Sequence, residues 1–444
     1  MHTAVVDLGF GDAGKGAVVN LLCREGDWHT VVRFNGGAQA AHNAVLPDGR
    51  HHTFAQFGSG TLQGARTFLS RFTLVDPLAL AAEADHLRLL GVPDPYALIT
   101  VDRRALLTTP YHAAAGRLRE RARGQHRHGS CGMGIGESAR YALAHPDDAP
   151  TAGDCASRPR LIRRLRLLRD RLADELGPLD GPPVEDCVAA FTAFARTVAL
   201  TDEDEPARLV RRGPLLFEGA QGVLLDEWHG FHPYTTWSTT TAANADAFLA
   251  EAGEPAPARR LGVLRTYTTR HGPGPLVTED PGLTALLPEP HNGDGPHQGP
   301  FRTGHFDAVA HAYAVSVCGG VDALAITHLD APRRVPALRI CRAYTAAGRR
   351  ITTLPPGPPG APGDLDRQAA LTDLLLRARP AEWDTPGRDP GRWREAIAGL
   401  LGAPVAIESA GPSRQHVTDR RWVGKPARGR SVRMSGRSGS PASA

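Results

Sequence analysis

The chain has 444 residues, of which 41% are hydrophobic and 22% charged, as is typical of a folded globular protein. Its formal net charge is +4, but residues 420–444 hold seven basic residues and no acidic one, so the remainder is slightly acidic. This distribution, the lack of a long apolar run and the scattered cysteines argue against partners such as nucleic acid or membranes, and against a zinc or disulfide framework. We therefore expect a cytoplasmic protein.

The first predicted element is a buried strand at residues 3–8, followed by a glycine-rich loop and a helix that begins near Lys15. Strand-like and helical patterns then alternate, with strands at 30–34, 214–220, 259–267 and 323–327 and helices at 159–176 and 306–317. This alternation predicts an α/β fold in which a central, largely parallel β-sheet carries a P-loop-like phosphate loop and is surrounded by helices. Ligands of such sheets bind beyond the carboxyl ends of the strands.

Two segments interrupt this alternation. Residues 353–364 form a proline- and glycine-rich loop, and residues 288–304 are expected to form a long, polar and flexible loop. The basic end is rich in Gly, Ser, Arg and Pro, a composition that cannot build a packed core. The sequence therefore predicts one catalytic unit over residues 1–419 and a disordered tail over residues 420–444.

The glycine-rich loop reads GFGDAGKG, with four residues between Gly9 and Gly14 and then Lys15, which is the first part of a P-loop pattern. Backbone N–H groups in such a loop bind phosphate oxygens, and the helix N-terminus adds partial positive charge. The Ser or Thr that usually follows the lysine is Gly16 here, so a magnesium ligand must come from elsewhere, and Asp12 is the candidate. A glycine-rich turn without any ligand is the alternative at this point.

Seven segments together resemble the adenylosuccinate synthetase family. GFGDAGKG resembles the family's WGDEGKG, and FEGAQGVLLD at 217–226 matches the family pattern nearly outright. The other five are FNGGAQAAHN at 34–43, SCGMGIGE at 130–137, HGFHPYTTWSTTTA at 229–242, THLD at 327–330 and SAGPSR at 409–414. They follow in family order with similar spacing, so the resemblance extends from the N-terminus to about residue 420.

The resemblance implies an activity and a set of roles. The family joins inosine monophosphate to aspartate at the expense of GTP, requires Mg2+ and forms homodimers. Asp12 would remove the N1 proton of the purine, so that the 6-oxygen can capture the γ-phosphoryl group, and would bind magnesium together with the backbone carbonyl of Ala41. His42 would stabilise the transferring phosphoryl group, Gln221 would hold the base, and Lys15 would bind the GTP phosphates.

The same resemblance assigns binding positions. Those for GTP are Gly11, Asp12, Ala13, Gly14, Lys15, Gly16, Ala41, His42, Asn43, His328, Asp330, Ser409, Gly411 and Pro412. Asp330 would accept hydrogen bonds from N1–H and N2–H of guanine, a donor pattern that adenine lacks. Those for the acceptor nucleotide are Asp12, Gln39, Cys131, Gln221, Thr236 and His145, the last near the position of an arginine that family members supply across the dimer.

The resemblance fails at the loop that recognises aspartate. The family reads TTGRRRRTG, whereas residues 296–304 read PHQGPFRTG, in which only Arg302 survives. A dicarboxylate needs cationic partners, which Gly299, Pro300 and Phe301 cannot supply. We therefore predict a specialised paralog that uses an amine other than aspartate. The amine-binding candidates are Arg302, Thr303 and His297, with His291 and His305 as further members of a new site, or else as solvated loop residues.

Three other interpretations stay open. An ordinary adenylosuccinate synthetase could compensate with another arginine such as Arg270. A non-catalytic GTP-binding regulator would need neither Asp12 nor His42, and a switch GTPase would usually have Ser or Thr where Gly16 stands.

Overall fold

The computed structural model describes residues 1–46, 48–289, 297–357, 364–411 and 415–422. His291, Pro412 and nearly all of the basic tail, from residue 423 onwards, lie outside the described residues. Within the described parts of the chain, no helix is both long and apolar enough to cross a membrane.

The described residues form the following strands and helices. The strands are β1 Thr3–Asp7, β2 Thr30–Arg33, β3 His42–Val45, β4 His51–Phe54, β5 Arg66–Leu69, β6 Leu74–Val75, β7 Ile99–Asp102, β8 Leu106–Leu107, β9 Ala199–Thr201, β10 Leu215–Glu218, β11 Arg259–Arg265, β12 Thr268–His271, β13 Phe301–Gly304, β14 Phe306–Asp307, β15 Ala323–Thr327, β16 Ile340–Ala346, β17 Arg349–Ile351, β18 Arg379–Asp384, β19 Val405–Ser409 and β20 Gln415–Val417. The helices are α1 Lys15–Glu25, α2 Pro77–Leu89, α3 Pro110–Ala122, α4 Ile135–Ala144, α5 Arg158–Leu176, α6 Val184–Thr197, α7 Glu205–Arg212, α8 Ala243–Glu251, α9 Pro281–Leu286, α10 Ala308–Val317, α11 Ala331–Arg334, α12 Leu365–Arg377 and α13 Pro390–Leu401.

Ten strands form the central sheet, in the order β20-β19-β15-β11-β1-β10-β2-β5-β7-β9. All neighbouring pairs are parallel except β19 with β20. This confirms the predicted α/β fold with a largely parallel sheet. The apolar run of β1 is explained by burial on both faces, since Ala4 and Val6 belong to one hydrophobic cluster and Val5 to another.

The structure corrects the expectation of a flexible loop over residues 288–304 at the end of that segment, whereas residues 290–296 lie outside the described residues. Residues 301–304 form strand β13, which pairs antiparallel with β12, and His271 lies opposite Phe301 in this ladder. Phe301 and Thr303 are buried, so the end of the segment packs as part of the protein interior. The polar composition of the segment concealed this strand, because its pairing partner lies about 30 residues earlier in the sequence.

Candidate active site

A cavity of about 1150 Å³ opens beyond the carboxyl ends of β1, β10 and β15, where the fold places ligands. It brings together residues from segments that are hundreds of positions apart. The predicted site residues that line it are Gly11, Asp12, Gly14, Lys15, Gly16, Gln39, Ala41, His42, Asn43, Cys131, Gln221, Thr236, His328, Asp330, Ser409 and Gly411. Five further described candidates, Ala13, His145, His297, Arg302 and Thr303, do not line it.

The phosphate loop is shaped by Asp7, the last residue of β1, which the sequence analysis did not single out. One carboxylate oxygen of Asp7 accepts hydrogen bonds from the backbone N–H of Gly9, at 2.8 Å, and of Gly11, at 3.3 Å. The other accepts from the N–H of Ala13, at 3.0 Å. The backbone N–H groups of Gly11 and Ala13 are predicted to bind phosphate. In this structure they donate hydrogen bonds to Asp7 within the loop.

Lys15 lies at the start of α1 and is almost fully buried. Its ammonium group lies 3.0 Å from Asp7 Oδ2 and donates a 2.7 Å hydrogen bond to the backbone carbonyl of Gln221. The carboxylate of Asp7 compensates the buried positive charge, as such a position requires. No side chain of the described residues caps the N-terminus of α1 at Gly14, so its first backbone N–H groups can bind an anion.

The glycine at position 16 follows from the packing of β3 against α1. A Cβ atom added there would lie 2.8 Å from His42 Cβ and 2.9 Å from the His42 carbonyl carbon. These distances are shorter than side chains tolerate, so the Ser or Thr of an ordinary P-loop does not fit. The close approach of strand and helix is what brings His42 beside the phosphate loop.

Asp12 is held from two sides. Its backbone has a φ of 58°, in the left-handed region, and Arg265 Nε donates a 2.6 Å hydrogen bond to its carbonyl oxygen. Its carboxylate Oδ2 lies 3.3 Å from Nε2 of His271. Burial opposes ionisation, but the hydrogen bond from His271 and the charges of Arg265 and Lys15 together keep the pKa of Asp12 below its ordinary value. The carboxylate is thus ionised and ready to accept a proton or bind a cation.

His42 is oriented by a buried carboxylate. Its Nδ1 lies 2.7 Å from Oε1 of Glu218, the last residue of β10, and Glu218 also accepts hydrogen bonds from the backbone N–H and the hydroxyl of Ser59. Burial would raise the pKa of Glu218, but His42, Arg33 and Ser59 lower it to about 2. Burial lowers the pKa of His42 despite the neighbouring carboxylate. Nδ1 is therefore fixed on Glu218, and the rest of the ring borders the cavity.

Two glutamine side chains offer hydrogen-bonding groups to the cavity. Gln221 has a φ of 56°, and its Oε1 is buried without a hydrogen-bond partner among the described residues. In Gln39, the Oε1 and Nε2 atoms are both buried without a hydrogen-bond partner among the described residues. Buried amide groups without partners are costly, so these atoms are suited to bind a polar ligand.

The opposite end of the cavity is formed by the loops after β15 and β19. Asp330 Oδ2 pairs with Arg334 Nε at 3.0 Å, whereas its Oδ1 is buried without a partner in the described part of the chain. The imidazole of His328 packs edge-on against Tyr267, with ring centroids 5.4 Å apart, and burial lowers its pKa well below the ordinary value. The backbone carbonyl of Ser409 accepts from Leu329 N–H at 3.0 Å, which joins the two loops.

Comparison with known proteins identifies the family. A sequence model of the adenylosuccinate synthetase family matches residues 4–364. The chain is 32% identical to the adenylosuccinate synthetase of Syntrophobacter fumaroxidans, over 93% of this chain and 97% of that protein. It is 33% identical to that of Desulfovibrio desulfuricans, over 80% and 84% of the two chains. The chain belongs to the adenylosuccinate synthetase family. It is thus a member of a family of GTP-dependent ligases that form C–N bonds.

Solved structures show the same fold. The adenylosuccinate synthetase of Plasmodium falciparum, solved fully ligated, superimposes with a TM-score of 0.79 at 20% identity, covering 94% of this chain and 99% of that one. The succinoaminodeoxyadenylate synthetase PurZ of cyanophage S-2L, solved with dGMP and with dATP as energy donor, gives a TM-score of 0.58 at 19% identity, covering 94% and 95%. Both comparisons therefore support the adenylosuccinate synthetase fold for this chain.

Three of the residues predicted for the acceptor nucleotide are Cys131, Thr236 and His145. Cys131 and Thr236 line the cavity, and burial raises the pKa of the Cys131 thiol, so it is neutral. His145 follows α4 and packs against Tyr141, with ring centroids 4.9 Å apart. His145 does not line the cavity of its own chain, and its contact with an acceptor across a dimer stays a prediction.

The segment that the resemblance assigns to aspartate binding holds Arg302 in contacts within the protein. Arg302 donates from Nη1 to the backbone carbonyls of Gly272 and Gly274, each at 2.9 Å, and from Nε to Glu279 Oε1 at 2.9 Å. Thr303 is fully buried beside it. The roles of Arg302 and Thr303 in amine binding therefore stay predictions, since both side chains lie behind the cavity wall.

The histidines predicted for a new amine site have contacts outside the cavity. His297 borders Gly132, where an added Cβ would lie 2.7 Å from His297 Cδ2. His305 is buried between Asp280, at 3.4 Å, and the Trp383 ring, with centroids 5.0 Å apart. The described members of the predicted group, His297, Arg302 and His305, do not line the cavity, and their shared role in amine binding stays a prediction.

Arg270 borders the cavity but its donors are used inside the protein. Its guanidinium donates to the carbonyl oxygens of Pro273 and Pro275, each at 3.0 Å, and of Tyr234, at 3.2 Å, and it lies 4.3 Å above the Phe10 ring. Burial lowers its pKa to about 9. These internal contacts do not favour Arg270 as a substitute for the missing arginines of the aspartate segment.

Proposed function

We propose that this protein is a GTP-dependent ligase that phosphorylates the 6-oxo group of inosine monophosphate, or of a related purine nucleotide, and displaces it with an amine other than L-aspartate. The observation that carries the proposal is the ionised carboxylate of Asp12 in the cavity wall, beside Lys15 and His42, within a fold whose family performs this chemistry. The protein would act in the cytoplasm as a homodimer.

The first step follows from the position of Asp12. Its carboxylate takes the proton from N1 of the purine, and the electron pair released makes the 6-oxygen an oxyanion. That oxygen attacks the γ-phosphorus of GTP, the bond to the β-phosphate breaks, and GDP leaves. Lys15 would stabilise negative charge on the phosphoryl group as it moves. So would His42 in its protonated form, in which Nδ1–H donates to Glu218 and Nε2–H is left to donate to a phosphoryl oxygen. Phosphorylation converts the 6-oxygen into a good leaving group.

In the second step the amine nitrogen attacks C6 and the C6–O bond breaks, so that the oxygen leaves within inorganic phosphate. The proton lost by the amine is released as the new C–N bond forms. Gln221 and Gln39, whose buried amide atoms lack partners in the described structure, support the binding of the acceptor base and its 5′-phosphate.

The described residues fit a magnesium ion. The carboxylate of Asp12 and the carbonyl of Ala41 both border the cavity, and Mg2+ prefers oxygen ligands combined with substrate phosphates. Bound there, the ion would neutralise negative charge on the GTP phosphates. Asp330, with one buried oxygen free for a donor, supports guanine as the base of the energy donor.

The proposal of a different amine rests on the segment that the resemblance assigns to aspartate binding. Gly299, Pro300 and Phe301 stand where the resemblance expects arginines, and the guanidinium groups of Arg302 and of Arg270 make internal hydrogen bonds. Losing one charge-assisted contact costs about 1.5–3 kcal/mol, so losing two would weaken aspartate binding by a factor of hundreds or more. An amine with fewer carboxylates fits this lining better.

An ordinary adenylosuccinate synthetase is the second candidate, and the names of the relatives at 32–33% identity favour it. Product formation from GTP and inosine monophosphate should be compared between L-aspartate and a panel of amines that lack one or both carboxylates. The proposal predicts a kcat/KM at least tenfold higher for a member of the panel than for aspartate. Turnover with aspartate at micromolar KM and no better amine would refute it and support the second candidate.

A further inference from the structure

His271 is the last residue of β12 and borders the cavity, although no motif of the sequence contains it. Its Nε2 lies 3.3 Å from Oδ2 of Asp12, and the two side chains are 17% and 24% exposed. The contact joins the proposed base to a strand that begins more than 250 positions later in the chain.

Among the described residues, the His271 side chain is the hydrogen-bond partner of the Asp12 carboxylate. Its neighbours Gly11 and Ala13 have no side chain that could reach it, and its backbone φ of 58° is one that few residues adopt. Arg265 fixes the backbone through the Asp12 carbonyl, and is itself hydrogen-bonded to Tyr267 at 2.9 Å. Arg265 thus sets where the residue lies, and His271 sets where its carboxylate lies.

We propose that His271 is a positioning residue for Asp12. By donating Nε2–H to Oδ2, it holds the carboxylate in the orientation that takes the N1 proton from the acceptor purine. Both the neutral ring with a proton on Nε2 and the charged ring can donate this hydrogen bond, so the role does not depend on the charge of the ring. The inference rests on the proposed function, in which Asp12 is the base.

The position of the His271 ring is set by the neighbouring strand. Its ring centroid lies 4.8 Å from that of Phe301, which is directly opposite in the β12–β13 ladder. The backbone N–H of Gly272 donates to the Pro300 carbonyl at 2.9 Å, which fixes the end of the ladder. The ring therefore approaches Asp12 from a paired and packed strand, as a positioning group requires.

The test separates phosphoryl transfer from the amine step. Isotope-labelled GTP, with the label in the β,γ-bridging oxygen, is incubated with inosine monophosphate, magnesium and enzyme in the absence of any amine. Reversible phosphoryl transfer scrambles the label into non-bridging positions of the β-phosphate. The exchange rate and the KM for GTP are measured for the unsubstituted enzyme, His271→Ala and His271→Gln.

We expect His271→Ala to lower the exchange rate by about tenfold or more, because small errors in the position of a catalytic group cost up to a hundredfold. The KM for GTP should stay within about twofold of the unsubstituted value. A merely structural defect would change this KM by more than twofold. His271→Gln retains an N–H donor and should keep at least about a third of the exchange rate. His126→Gln is the matched control, because His126 is exposed and does not line the cavity, and it should leave the exchange rate unchanged.

Exchange in His271→Ala at the unsubstituted rate would overturn the inference. Loss of overall turnover in His271→Ala with an unchanged exchange rate would also overturn the inference, since the ring would then act at the amine step. Equal losses in His271→Ala and His271→Gln would also overturn it, because the hydrogen bond would not be the cause. Absence of exchange in the unsubstituted enzyme would instead refute the proposed function, and the inference with it.

Discussion

The Nδ1 atom of His42 lies 2.7 Å from Oε1 of Glu218, and this buried pair joins the first residue of β3 to the last residue of β10. We predict that Glu218→Gln lowers kcat by about tenfold or more, because the charge that supports the imidazole beside the transferring phosphoryl group is lost. The KM for GTP should change by less than about threefold, because the groups that bind GTP before phosphoryl transfer are retained. Steady-state kinetics at saturating acceptor would measure both.

Ser59→Ala is the control for that substitution, because it removes a hydroxyl from Glu218 and leaves the contact with His42 in place. A drop in kcat as large as that of Glu218→Gln would show that the cluster has only a structural role.

Gly16→Ser would restore the residue that P-loops usually carry, and we predict that it damages this protein. Its Cβ would lie 2.8 Å from His42 Cβ, so strand β3 must move, at a cost of about 1–3 kcal/mol in the free energy of unfolding. Activity should fall because His42 moves with the strand. Chemical denaturation would measure the loss, and Gly399→Ser in α13, where an added Cβ meets nothing within 4 Å, should show none.

Asp330→Asn tests the guanine site. Its buried Oδ1 can accept from guanine, whereas an amide in its place offers a donor on one side, and we expect the KM for GTP to rise about tenfold or more. The same variant should gain activity with xanthosine triphosphate, whose 2-oxo group accepts a hydrogen bond from the amide. An unchanged preference for GTP over xanthosine triphosphate would exclude Asp330 from base recognition.

Arg302→Gln separates a structural role from amine binding. Because Arg302 holds two carbonyls of the segment 272–274 and pairs with Glu279, the substitution should lower the free energy of unfolding by about 1–3 kcal/mol. The KM for the preferred amine should change by less than about threefold. A rise of tenfold or more in that KM, with unchanged thermal stability, would instead place Arg302 in the amine site.

The buried carboxyl group of Asp307 predicts a pH dependence of stability. Burial raises its pKa to about 6, against hydrogen bonds from Tyr344 and from backbone N–H groups that lower it. Because the folded pKa lies above the unfolded one, its stabilising contribution is full below about pH 4 and is lost as pH rises through 6. Asp307→Asn keeps the acceptor oxygen without the charge, so its unfolding free energy relative to the parent should increase between pH 5 and pH 7.5. A difference that stays constant or shrinks over this range, measured by denaturant titration, would contradict the account.

Much of the site could be predicted from the sequence because each piece is local. The loop Gly9–Gly16, His42, Gln221 and Asp330 each lie in or directly after a short run that forms a buried strand, and a parallel sheet gathers such loops at one edge. The alternation of strands and helices was likewise sufficient for the fold class.

The rest depends on pairings that local patterns do not encode. Asp7 looks like the end of an apolar strand, and its bonds to the loop amides appear only once the chain has turned back on itself. His271 reaches Asp12 because β11 lies beside β1, and Arg302 is withdrawn from the cavity because β13 pairs with β12. The sequence pattern of polar residues in such strands does not indicate which strand they will pair with.

The central claim is that the 6-oxygen of the purine captures the γ-phosphoryl group after Asp12 removes a proton. The most direct measurement uses inosine monophosphate labelled with heavy oxygen at position 6, incubated with GTP, magnesium and the preferred amine. The account predicts that the label is recovered in the released phosphate, one atom for each product formed, and that Asp12→Ala abolishes its release. Phosphate that carries oxygen from water while the label stays on the purine would contradict it.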